Sequence, residues 1–102
     1  MKEKPKITVP GKEIAELCRR YHIRKFSLFG SSLGDDFRED SDVDVLVEFE
    51  QDKTPGLFGI VRIEEEIGRI FGRKVDLRTP RELSRYFRDS VMSNARVEYA
   101  RG

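Results

Sequence analysis

Leu28-Phe29-Gly30-Ser31, ten intervening residues, then Asp42-Val43-Asp44-Val45-Leu46-Val47-Glu48-Phe49 is the stretch that decides how this chain folds. Val43, Val45, Leu46, Val47 and Phe49 are β-formers on both faces, so Val43 to Phe49 reads as a central, buried strand. Arg24 to Phe29 reads as a second strand, with Phe26, Leu28 and Phe29 apolar, and it stops at Gly30-Ser31-Ser32. The polar, acidic segment from Gly34 to Asp42 separates the two. It need not be a full crossover helix, which leaves the pairing direction open and makes a mixed sheet the expected arrangement.

Helices are expected on either side of these strands. From about Gly11 to Tyr21, residues Ile14, Leu17, Cys18 and Tyr21 follow the i, i+3, i+4, i+7 spacing of one helix face. Cys18 on that face is expected to pack as a small hydrophobe, and His22 to sit at the helix end. Gln51 to Gly56 is a turn-rich loop. Leu57 to Phe71 carries Ile60, Ile63, Ile67, Ile70 and Phe71 on one side of a helix, closed by Gly72-Arg73. Lys74 to Arg78 is a short strand centred on Val75-Asp76-Leu77. Thr79-Pro80-Arg81-Glu82 looks like a helix start, continued by Leu83, Phe87 and Val91 at i, i+4, i+8. The tail from Ala95 to Ala100 leans to an edge strand over a continued helix, from the Val97 and Tyr99 alternation. Phe58, Phe71 and Phe87 are expected in the core rather than as a base-stacking platform. The order is helix, strand, loop, strand, helix, strand, helix: an α/β domain with a small mixed sheet flanked by helices.

Composition bounds the remaining choices. The 102 residues fit one domain, 1–102, with residues 1–10 expected as a mobile lead-in. Lys and Arg number 20 and Asp and Glu 19, a net charge of +1, so nucleic acid held by counter-ion release is unlikely as a direct ligand. One cysteine excludes an internal disulfide framework and suits a reducing, cytoplasmic setting. No apolar run approaches the roughly 20 residues that span a bilayer, so no membrane partner is expected.

Three carboxylates stand out by position. Asp42 and Asp44 are two apart at the start of the most apolar strand, so they project together while Val43 and Val45 point the other way. Asp76 lies inside a second apolar strand. Were those strands neighbours, all three would meet at one sheet end. Clustered carboxylates are costly to desolvate unless a cation sits between them, and without Cys or His nearby the donor set suits Mg²⁺. The competing reading of Ser41-Asp42 is an ordinary turn. An EF-hand loop is excluded, since its sixth place would be Val45 or Val47 instead of Gly. Gly30-Ser31 ends a strand and opens a helical turn, where backbone N–H groups can hold a phosphate; as a dipeptide alone it is also a routine loop.

Together, Gly30-Ser31, ten residues and Asp42-Val43-Asp44 resemble the Gly-Ser-x10-Asp-x-Asp signature of the DNA polymerase β-like nucleotidyltransferases. With Val75-Asp76-Leu77 and Leu83-Ser84-Arg85-Tyr86-Phe87-Arg88-Asp89, the chain looks like a minimal nucleotidyltransferase (MNT) over about Ile7 to Arg101. The resemblance implies a polymerase β palm-like fold, ATP as nucleotide donor and two Mg²⁺ ions. It implies that Asp42, Asp44 and Asp76 are the catalytic and metal-holding residues, with Asp76 orienting or deprotonating the attacking hydroxyl. Gly30 and Ser31 would bind the triphosphate. It further implies a HEPN-domain toxin as partner, an AMP transferred to its tyrosine, and an antitoxin role. The family often continues Gly-Ser-x-x-Arg; here that place is Gly34, which cannot make a charge-assisted contact, leaving Lys25, Arg38 or Arg73 to compensate. Two alternatives follow: an antitoxin that neutralises by binding alone, and transfer to a small-molecule acceptor.

Overall fold

A computed structural model describes residues 9–33 and 41–101. Most of the expected lead-in, together with Gly34 and Arg38, lies outside the described residues. The elements are α1 (Gly11–Arg20), β1 (Ile23–Leu28), a 3-10 turn (Gly30–Leu33), β2 (Val43–Phe49), α2 (Leu57–Phe71), β3 (Val75–Arg78), a second 3-10 turn (Pro80–Glu82), α3 (Arg88–Asn94) and β4 (Arg96–Ala100). The strands form one sheet in the order β3-β2-β1-β4. β1 pairs antiparallel with β2 and with β4, while β2 and β3 run parallel. The sheet is therefore mixed, the Val43–Phe49 strand is internal, and the tail is a strand, as the sequence leads one to expect.

One face of the sheet makes the core. Val43, Val45 and Val47 of β2 pack with Phe26 and Leu28 of β1 and Val75 and Leu77 of β3. Ile14, Leu17 and Cys18 of α1 and Ile63 and Ile67 of α2 close that cluster from above. Burial pushes the Cys18 thiol up to about 12, so it stays protonated and packs as a hydrophobe. At the end of α2, Gly72 takes a left-handed φ of +69° and its N–H bonds back to the Gly68 carbonyl, which stops the helix just before β3.

α1 and α2 are also joined at the surface. The Tyr21 hydroxyl donates to Glu66 Oε2 at 2.7 Å, and Arg20 Nη1 donates to Glu66 Oε1 at 2.7 Å. The Tyr21 hydrogen bond, aided by Arg20, holds the Glu66 carboxyl below its ordinary range. A depressed carboxylate contributes stability above its unfolded pKa of about 4.3 and loses it as pH falls through the folded value. Glu66→Gln is expected to cost about 1 kcal/mol near neutrality. In urea titrations that difference should begin to shrink as pH falls below about 4.3 and vanish only once pH is below the depressed folded value.

Two expectations are corrected. The helix anticipated from Thr79 through Val91 is broken. Thr79 and Glu82 do form a capping box, with the Thr79 N–H donating to Glu82 Oε1 at 2.9 Å, but only a 3-10 turn follows. Leu83 is extended, and the helix resumes at Arg88. The Arg88 guanidinium donates to the carbonyls of Pro80 (2.9 Å) and Leu83 (3.2 Å), acceptors that a continuous helix would have given to Ser84 and Phe87 N–H groups. The second correction follows in part from this break: Phe87 is 65% exposed, and Phe58 is 87% exposed, so neither is core. Phe58 lies about 140° and 180° around α2 from Ile63 and Ile67, which places it on the outer face. Phe71 does pack against the core.

Candidate active site

The parallel pairing of β2 with β3 sets Val43 opposite Val75, Asp44 opposite Asp76 and Val45 opposite Leu77. Register partners on adjacent strands project to the same face, about 4.8 Å apart along the hydrogen-bonding direction. With the valines and Leu77 committed to the core, Asp44 and Asp76 must leave by the opposite face. Asp42, just before β2, is exposed, and Asp44 and Asp76 are half-buried. The sheet thus brings Asp44 and Asp76 together on one face, because the apolar alternation of β2 and β3 leaves them nowhere else to point, and Asp42 adjoins them in sequence just before β2.

It does not close them into a ready ligand set. Among the described residues no three acidic, His or Cys side chains are grouped to hold a metal ion. Asp76 turns to a neighbour on its own strand: Arg78 Nε lies 3.2 Å from Asp76 Oδ1, and Nη2 lies 3.4 Å from Oδ2. Like charges repel, and a guanidinium two residues away on the same strand face is a nearby counter-ion. Arg78 was not singled out from the sequence. It is a cation on the acidic face, whereas Lys25, one of the residues looked to for compensation, has its Nζ 4.0 Å from Glu48 Oε2. Arg73 lines a groove of about 380 Å³ with Glu64, Glu65, Gly68, Arg69 and Lys74, on the helix side of the sheet edge.

The turn after β1 closes the other side of the site. Gly30 has φ +60°, a left-handed conformation that L side chains rarely adopt. A Cβ placed there would stand 2.7 Å from Asp44 Oδ2 and 3.4 Å from its Cγ. The Asp44 carboxylate therefore rests directly against the Gly30 backbone, which sets the Gly30-Ser31 turn beside the acidic strand end. Ser31 is the second residue of the 3-10 turn that Gly30 opens. A cavity of about 310 Å³, lined by Phe29, Gly30, Leu33, Ser90, Val91 and Asn94, opens beside it.

Ser32 belongs to this site and the sequence reading passed over it. Its side chain is buried, and its Oγ accepts the Asp44 N–H at 2.7 Å. The only sequence signal was a second serine after Gly30-Ser31, which looks like any polar turn residue. The chemistry of the assembled site is that of hard oxygen donors beside a turn whose backbone can be approached closely, a combination suited to a divalent cation and phosphate.

The chain is similar in sequence and in fold to known proteins. The family model for a nucleotidyltransferase domain matches residues 12–97. The protein adenylyltransferase MntA of Thermococcus cleftensis is 40% identical over 62 residues, which is 61% of this chain and 61% of that protein's length. A solved structure of a toxin–antitoxin with AMP-PNP superposes with a TM-score of 0.72 at 19% identity, covering 90% of this chain and 74% of that one. Another, a tri-AMPylated Shewanella oneidensis HEPN toxin in complex with MNT antitoxin, superposes with a TM-score of 0.64 at 20% identity over 88% of this chain and 69% of that one. At those identities the two structures establish the likeness of fold.

Proposed function

Since the chain belongs to the nucleotidyltransferase domain family, we propose that it transfers AMP from ATP to a tyrosine hydroxyl of a HEPN-type toxin and so acts as that toxin's antitoxin. The observation that carries this reading is the register pair Asp44 and Asp76 facing out beside Gly30, with the Asp44 carboxylate against the Gly30 backbone. The adenylyltransferase name of the Thermococcus relative and the AMPylated toxin held by a protein of the same fold support it.

The residues divide the work as follows. Asp42, Asp44 and Asp76 would hold Mg²⁺ by their donor type, with Asp44 and Asp76 already on one face, and the bound ion would supply charge neutralisation along the triphosphate. The turn at Gly30-Ser31 receives the phosphate oxygens, because a residue without Cβ lets them approach the backbone. Asp76 takes the proton of the attacking hydroxyl once its carboxylate leaves Arg78. The hydroxyl oxygen then bonds to the α-phosphorus, the bond from that phosphorus to the bridging oxygen breaks, and pyrophosphate departs. Arg78, displaced from Asp76, remains on the same face as a cation for that leaving group. No helix among the described residues is long and apolar enough to cross a membrane.

The experiment is incubation of the purified chain with ATP labelled at the α-phosphate, Mg²⁺ and the HEPN-type protein encoded beside it. Label on a toxin tyrosine is expected. A folded chain that leaves every toxin hydroxyl unlabelled contradicts the proposal. One observation favours a second reading: Gly34 stands where the family often has Arg, which suits neutralisation by binding alone. Under that reading the Asp42→Asn/Asp44→Asn chain still protects cells from the toxin; under catalysis it does not.

A further inference from the structure

β1 and β2 are antiparallel, with Leu28 opposite Val45, so the next opposed pair is Phe29 and Asp44. In a regular ladder such a pair exchanges two backbone bonds. Half of the exchange is present: the Phe29 N–H donates to the Asp44 carbonyl at 3.1 Å. The Phe29 carbonyl, however, turns to accept the Ser32 N–H at 3.2 Å, which starts the 3-10 turn. The Asp44 N–H is met instead by Ser32 Oγ at 2.7 Å, from a side chain only 4% exposed. With a longer bond from Ser32 Oγ to the Asp44 carbonyl (3.4 Å), four hydrogen bonds link Phe29, Ser32 and Asp44, and the serine hydroxyl stands in for a strand carbonyl.

We propose that Ser32 is a positioning residue for nucleotidyl transfer: its hydroxyl fixes the Gly30-Ser31 turn relative to the Asp44 carboxylate. This rests on the transfer reading above. The turn departs from β1 just after the Phe29 N–H bond to the Asp44 carbonyl, so the ladder holds only the residue before Gly30 and leaves the turn itself untied to β2. Ser32 lies in the same turn as Gly30 and Ser31 and supplies that tie through its hydroxyl, which accepts the Asp44 N–H at 2.7 Å and donates to the Asp44 carbonyl at 3.4 Å. Triphosphate and carboxylate must be held together closely, and a misplacement of about 1 Å can cost about 100-fold in rate.

The test compares wild type, Ser32→Ala and Ser32→Thr by steady-state transfer and by amide hydrogen exchange. In Ser32→Ala, kcat at saturating ATP is expected to fall about 10- to 100-fold while KM for ATP moves less than about threefold. The Asp44 amide, slow to exchange in wild type, should exchange fast in Ser32→Ala, with Val45 and Val47 amides unchanged. Ser32→Thr, which keeps the hydroxyl, should recover both the slow Asp44 amide and most of kcat. An active wild type with unchanged kcat in Ser32→Ala overturns the positioning role and leaves the transfer reading standing. So does a Ser32→Ala chain whose amides all exchange faster together, since the serine is then merely structural. A wild type that transfers no AMP overturns the transfer reading itself, and the positioning role with it.

Discussion

Asp44→Asn is expected to lower AMP transfer about 1,000-fold with the fold intact. The substitution is nearly isosteric and removes one formal charge. The Phe29 and Ser32 contacts to Asp44 run through its backbone N–H and C=O and survive the change. The opposite face of β2 keeps its buried valines. What is lost is a half-buried carboxylate beside the turn, and an amide oxygen is a poor substitute for it in holding a divalent cation. Circular dichroism and urea unfolding should match wild type within about 1 kcal/mol, and single-turnover transfer should show the defect. A loss smaller than tenfold would mean that Asp44 is a bystander.

Gly30→Ala is expected to damage the site by a different route. At φ +60° an alanine carries a backbone penalty of about 1 kcal/mol. Its Cβ would also stand 2.7 Å from Asp44 Oδ2, a distance real contacts do not tolerate, so the turn or the carboxylate must shift. Transfer should fall about 100-fold, with a stability loss of about 1–2 kcal/mol. Gly72→Ala is the matching control. Gly72 is also left-handed, at φ +69°, yet a Cβ there meets nothing within 4 Å. It should lose about 1 kcal/mol of stability and no activity. Equal activity losses in the two variants would show that backbone strain, and not the contact with Asp44, is responsible.

What could be read from residues alone divides along physical lines. The apolar run of Val43 to Phe49 and the spacing of Ile63 and Ile67 are periodic signals, and the inner strand and core helix follow them. Asp44 and Asp76 stood out because a carboxylate inside an apolar strand has no ordinary reason to be there, and the strand order sets the two side by side. The helix expected after Thr79 was not legible as broken, since the Arg88 guanidinium that takes the Pro80 and Leu83 carbonyls acts across several residues with no periodic trace. Phe58 illustrates the same limit: an aromatic side chain says core, and only its angle on α2 says surface. Ser32 and Arg78 acquired meaning through tertiary neighbours, one by meeting the Asp44 N–H and the other by facing Asp76. The Asp76–Arg78 pair also refines the expectation of three converging carboxylates: Asp44 and Asp76 share a face, and Asp76 begins in the grip of a guanidinium.

The central claim is that the Gly30 turn and the Asp42, Asp44 and Asp76 edge form one nucleotide-transfer site. A crystal structure of the chain with AMP-PNP and Mg²⁺ tests it most directly. The account predicts the triphosphate against Gly30 and Ser31, metal density between it and the three aspartates, and Arg78 released from Asp76. Nucleotide seated elsewhere, for instance in the groove of Glu64, Arg69 and Arg73, with the Asp76–Arg78 pair intact and no metal at the aspartates, would contradict it.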